Sequence, residues 1–225
     1  MRKVIPIITI LAILVSCKKD KETQQAYEVV DYTSIKEQLE RMVINDQNIQ
    51  FAFRPNQSQN VKDSILKEKD RIFKANTDTI QSLFNQYGYL GIDKVDEDGA
   101  HNFWVLVQHS DSDINFQEQV LTTMKVELEI GNVNSSNYAF LVDRVQKNKG
   151  EKQLYGTQLE YRENFWIVPE PIKDSINVNK RRKAIGLPPL EEYLNTAMEA
   201  NYHMNKSAYE KLGLKGPNKY EVNNL

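Results

Sequence analysis

The chain has 225 residues, 40% of them hydrophobic and 27% charged, with a formal net charge of −2 at pH 7. That mild acidity gives no electrostatic case for nucleic-acid binding, which calls for a clustered basic face. The chain holds 1 cysteine, which excludes an intramolecular disulfide and a cysteine-built metal site.

At the N-terminus, Arg2-Lys3 precede an apolar run from Val4 to Val15, and the run closes on Ser16-Cys17. A charged start, a short apolar stretch and a small-residue cleavage position make a secretory signal. The run is too short to cross a bilayer as a helix, which takes about 20 apolar residues. Leu14-Val15-Ser16-Cys17 resembles the lipobox of bacterial lipoproteins. The resemblance implies a signal peptide over 1–16 and acylation of Cys17, palmitate included. Several acyl chains attach a protein durably where one does so only marginally. The expected location is therefore the outer membrane, on its periplasmic or surface-exposed side, with the lipid bilayer as partner. Lys18-Lys19-Asp20-Lys21-Glu22-Thr23-Gln24-Gln25 is polar and reads as part of a flexible tether over 17–31. Such a tether reaches roughly 20 Å. Its charged run partly resembles the lysine-plus-acid surface-export signal of Bacteroidota lipoproteins and departs from it at Lys21.

One domain is expected over 32–204, followed by a polar tail over 205–225 that frays. Ser34-Ile35-Lys36-Glu37 reads as a capping box, and Ile35, Leu39, Met42 and Val43 fall on one face of the helix it opens. Arg54-Pro55-Asn56 is a break. A long helical pattern runs from Val61 to Tyr87, open to reading as two helices separated near Asn76-Thr77-Asp78. Ala100 to His109 is the most apolar stretch after the signal, and its flanking polar residues favour helix over strand. Asp113 suits the N-cap of a helix with Phe116, Val120, Met124 and Leu128 on its buried face. Another helix carries Ala139, Leu141, Val142 and Val145 and stops at Gly150. Gln153 to Tyr161 and Phe165 to Val168 then read as a hairpin around Arg162-Glu163-Asn164. A short basic helix from Asn177 to Ile185 and a last helix through Leu190, Tyr193, Leu194 and Met198 complete the chain. The fold class is mainly α: a single helical domain with one small β-hairpin.

The order of four motifs carries a resemblance. They are Trp104-Val105-Leu106-Val107-Gln108-His109-Ser110-Asp111; Tyr138-Ala139-Phe140-Leu141-Val142-Asp143-Arg144-Val145; Gln153-Leu154-Tyr155-Gly156-Thr157-Gln158; and Arg181-Arg182 leading to Gly186-Leu187-Pro188-Pro189-Leu190. Together they resemble the bacterial family catalogued as domain of unknown function 6624, over roughly residues 33–198. The resemblance implies that these polar motifs belong to one arrangement and names no substrate.

The candidates for chemistry are His109, Asp111, Asp143, Arg144, Gln153, Tyr155, Thr157 and Gln158. They stand at the ends of apolar segments, where a polar group needs water or a partner. His109 as a general base calls for a nearby carboxylate, and Asp143 is the expected one; as a C-terminal helix residue it needs none. Arg144 suits a carboxylate or phosphate clamp, or a tie between elements. Gln153, Tyr155, Thr157 and Gln158 suit a binding surface under the hairpin, or a cover for the core. The Lys180-Arg181-Arg182-Lys183 run reads as a solvated helix face. No cofactor or metal is expected: His101 and His109 are out of line on a helix, and the chain has no His-Glu-x-x-His, phosphate-loop or Gly-x-Ser-x-Gly pattern. The expected function is a membrane-anchored, envelope-associated binding module for a small molecule or envelope polymer. The alternative is a hydrolase using His109 and Arg144.

Overall fold

The computed structural model describes residues 30–54 and 56–222. The signal peptide, Cys17 and nearly all of the tether lie outside those residues. Among the described residues seven helices follow in order: α1 (Tyr32–Gln50), α2 (Gln59–Tyr87), α3 (Ile92–Gln108), α4 (Ile114–Glu129), α5 (Ser135–Asn148), α6 (Val178–Ala184) and α7 (Leu190–Lys211). Strands β1 (Leu159–Tyr161) and β2 (Ile167–Pro169) pair antiparallel between α5 and α6, with Glu160 opposite Val168. The fold is mainly α with a minor β component.

The start of α1 differs from the capping box expected at Ser34. Asp31 is the N-cap and accepts from Thr33 N–H at 3.0 Å, while the Ser34 hydroxyl donates to Asp31 O. An earlier side chain of good capping type takes the role, and the helix gains most of a turn. α2 runs unbroken through Asn76-Thr77-Asp78, because Asn76 and Thr77 face the interior and continue its buried stripe to Ile80.

The long α3 is the centre of the first core. Phe103, Leu106 and Val107 are fully buried, and the helix packs on α1, α2, α4 and α5. Burying side chains of this size stabilises by roughly 1.5–3 kcal/mol each. α3 kinks at Asp96, whose φ of 56° is rare outside glycine. The Asp96 side chain offsets that strain by capping the longer half of the helix: it accepts from Asp98 N–H and Gly99 N–H, both at 3.1 Å, and pairs with Lys36.

A second, smaller core gathers Ile167 of β2, Val178 of α6, and Leu190, Leu194 and Met198 of α7. Of the tail expected to fray, residues 206–222 are described, and they pack on the domain. α7 bends at Asn205 and continues to Lys211, burying Tyr209 completely against Phe165, with ring centroids 3.8 Å apart. Beyond it, Tyr220 accepts Asn195 as partner in two hydrogen bonds and donates its hydroxyl to Ile167 O at 3.1 Å. Two aromatic side chains therefore hold a stretch whose polarity alone suggests fraying.

Candidate functional site

The candidate residues divide among three polar arrangements. The first is centred on Asp143, on the buried side of α5. Its carboxylate accepts from Leu154 N–H at 2.7 Å, Tyr155 N–H at 3.0 Å, Thr157 N–H at 2.9 Å and the Thr157 hydroxyl at 3.0 Å. A buried carboxylate is tolerated when donors replace its hydration, and four donors do so here. Residues 153–158, expected to begin a long strand, are instead wrapped around this side chain. Gly156, at φ +74°, turns the chain out of the extended form. A Cβ there would lie 2.9 Å from both Ile172 Cδ1 and Leu190 Cδ1.

The rest of the loop is satisfied as completely. Gln153 closes it: its side-chain oxygen accepts from Gln158 N–H at 2.9 Å, and its nitrogen donates to Gln158 O and Glu170 O. Arg181 donates to Leu154 O, Arg182 to Tyr155 O and the Tyr193 hydroxyl to Thr157 O. Arg181 and Arg182 are thus turned inward, a correction to the solvated basic face; Arg182 is 1% exposed. Arg182 also donates to Pro188 O and lies 5.1 Å from the Tyr193 ring centre. Its fork reaches two carbonyls while the aromatic face covers the cation. Burial pushes the Tyr193 phenol up to about 12, so it remains a donor at neutral pH. Burial likewise raises Tyr155, with Tyr138 and Asp143 adding to the effect.

The second arrangement starts at Arg144, the next residue of α5, which points elsewhere as adjacent helical residues do. Its guanidinium grips Asp111 with two bonds, Nε to Oδ1 at 2.8 Å and NH2 to Oδ2 at 2.6 Å. Asn148 and Gln117 donate to the same carboxylate. Burial alone would raise the Asp111 carboxyl, but the Arg144 bonds and charge, with Asn148 and Gln117, hold it below the usual range.

The third contains His109, the C-cap of α3. Its Nδ1 is 2.7 Å from Asp46 Oδ1, its Nε2 is 3.4 Å from Gln50 Nε2, and its ring stacks on Phe73 with centroids 4.9 Å apart. A proton on Nδ1 would be donated to the Asp46 carboxylate, which can only accept when ionised. The carboxylate partner is therefore Asp46 of α1, a correction to the expected Asp143, which the loop occupies. Asp46 is fully buried and His109 is 15% exposed, with the Asp46 Oδ2 atom unpartnered among the described residues.

Residues 109–113 form a polar hub between α3 and α4. His109 reaches α1, Ser110 lies 2.9 Å from Thr77 of α2, Asp111 holds α5, and Asp113 caps α4 by accepting from Phe116 N–H. Each side chain ties a different helix to one turn. Asp143 and Arg144 then link that hub to the loop, α6 and α7 from the two sides of α5. The three arrangements act as fastenings between elements and do not share one cleft.

The comparisons bear on the same motifs. A family model described as "Family of unknown function (DUF6624)" matches residues 33–206. The chain belongs to this family. The match begins inside α1 and ends inside α7, and so contains the hub, the Asp143 loop and both inward arginines. No curated protein and no solved structure matches the chain.

Elsewhere, a groove of about 550 Å³ opens between α1 and α2, in the size range of small-molecule sites. Asn45, Asn48 and Asn76 line it beside the Arg71–Glu68 ion pair. Asn76 is 9% exposed, and its side-chain nitrogen has no hydrogen-bond partner among the described residues. The residue escaped sequence reasoning because it stood where a helix break was considered. The available signal was a polar side chain on the buried stripe of Phe73, Thr77 and Ile80. Asp46 likewise continues the stripe of Ile35, Leu39 and Met42 at helical spacing. Among the described residues there is no group of three or more His, Cys, Asp or Glu side chains fit to hold a metal ion, and no helix long and apolar enough to cross a membrane.

Proposed function

We propose that this is an outer-membrane lipoprotein, acylated at Cys17, whose helical domain is an envelope-associated binding module. The anchoring half of the reading rests on Leu14-Val15-Ser16-Cys17 closing a signal-length apolar run. The binding half rests on one observation. The polar side chains best suited to chemistry are engaged with one another: Asp143 by backbone donors, Arg144 by Asp111 and His109 by Asp46. Groups committed in this way fasten elements together and leave binding to surfaces between the helices. A hydrolase built on His109 would take Asp46 as its orienting carboxylate and would have to release Arg144 from Asp111.

The test follows acylation and turnover together. Cells expressing the full chain are fed an alkyne-tagged palmitate. Label is expected in the membrane fraction and none in Cys17→Ala; unlabelled parent protein would overturn the anchor. The purified chain is then offered ester, glycoside and peptide substrates. Hydrolysis that disappears in His109→Ala at unchanged melting temperature would replace the binding module with the enzyme.

A further inference from the structure

We infer that the turn after α1 is a second membrane contact: Phe51 and Phe53 enter the interface of an anionic phospholipid bilayer, with Arg54 and Lys62 at its headgroups. The inference rests on the Cys17 anchor proposed above and adds the part of the domain that meets lipid.

Exposure singles the turn out. Phe51 is 70% exposed and Phe53 42%, and Val61 follows at 44% in the first turn of α2. Scattered apolar side chains on a surface need no explanation, whereas neighbouring ones mark an interaction site. The backbone here is also prepared for a poorly hydrated setting. The Arg54 guanidinium donates to Phe51 O and, at 2.9 Å, to Phe53 O. Gln57 Nε2 donates to Ala52 O at 3.0 Å, and Gln57 N–H donates to Arg54 O at 3.3 Å. The consecutive carbonyls of residues 51–54 thus all have donors from within the turn. The N–H groups of Phe51, Ala52 and Arg54 have acceptors as well. A backbone group that loses water without gaining a partner is costly, and this turn leaves few to lose it.

Charge selects the lipid. From Gln47 to Lys62, between the buried Asp46 and the exposed Asp63, the chain carries Arg54 and Lys62 and no acid, although the whole chain is negative. The Lys62 ammonium lies 5.9 Å from the centre of the Phe53 ring. A cation beside an exposed ring can reach anionic headgroups while the ring sits beneath them. A second copy of the chain is a poorer occupant. Two aromatic side chains bury about 150–250 Å² each, short of the roughly 800 Å² per partner of a stable interface, and two basic turns repel. The same small area suffices for lipid, because the tether keeps the turn at high effective concentration near the bilayer.

The experiment reconstitutes the acylated protein into phosphatidylethanolamine vesicles with or without phosphatidylglycerol. Cys17 is the one cysteine, so its acylation leaves Asn60→Cys as the sole thiol for a polarity-sensitive dye. Asn60 is exposed beside the turn. The control is a dye on Ile130→Cys, where the parent side chain is 75% exposed. That position lies near the end of α3 where Asn132 meets Asp93, whereas the turn lies near the opposite end, where Gln50 meets His109. With phosphatidylglycerol present, the Asn60→Cys dye is expected to brighten and shift to the blue while the control stays unchanged. The shift is expected to be lost in Phe51→Ser/Phe53→Ser and weakened by high salt. Should the serines lower the melting temperature, Lys62→Gln carries the test and is expected to weaken the shift. No shift at Asn60→Cys, an equal shift at the control, or a shift that survives these substitutions overturns the inference. A shift that needs no phosphatidylglycerol and grows with protein density would overturn it in favour of a second copy. Protein retained on the vesicles with an unshifted dye overturns the turn alone and leaves the anchor standing. Protein that leaves the vesicles overturns the anchor and the inference together.

Discussion

Four donors converge on the fully buried Asp143 carboxylate, whereas the amide nitrogen of Asn76, a residue 9% exposed between α1 and α2, meets no acceptor among the described residues. Both are polar groups on buried helical stripes. The first is surrounded by groups that the fold itself supplies, down to the carbonyls held by Arg181, Arg182 and Tyr193. The second is closed to solvent and has no partner among the described residues. The difference shows two ways in which this fold carries a buried polar group. A motif dense in chemistry-bearing residues can be architecture.

Breaking the satisfied region has the largest expected effect. Asp143→Ala strands buried N–H groups of the loop and should cost about 3–5 kcal/mol in urea unfolding, or prevent folding. A cost under about 1 kcal/mol would mean that the loop is held by other means. The exposed pair beside it should matter far less. Arg144→Met is expected to cost at most about 1 kcal/mol, because Asp111 remains 44% exposed. Its pH dependence is more telling. The Asp111 carboxyl lies lower in the folded state than its ordinary value of 3.8. The pair therefore contributes stability that is present above that value and is lost as pH falls through the lower folded one. The variant should lack this acid-side loss, and the two stability curves should approach each other as the medium is acidified.

The sequence made the helical fold legible because hydrophobic periodicity survives in every long helix, from Ile35 and Leu39 to Leu194 and Met198. It misled where a side chain overrode local pattern. Alternation over Gln153–Gln158 reads as strand, yet the distant Asp143 draws those N–H groups away from any ladder. Four consecutive basic residues read as a solvated face, yet two of them serve half-buried carbonyls of the Asp143 loop. His109 was identifiable, but its partner lies 63 positions away on α1, and composition does not carry that pairing. In each case the deciding contact is long-range and made by a side chain to which local propensity is blind.

The most direct test of the account is amide hydrogen exchange at Leu154, Tyr155 and Thr157 in the full chain. If Asp143 fastens the loop as architecture, these amides exchange only with global unfolding, as slowly as the core of α3. Exchange at the rate of an open surface loop would contradict the account and restore the binding-surface reading of Tyr155 and Thr157.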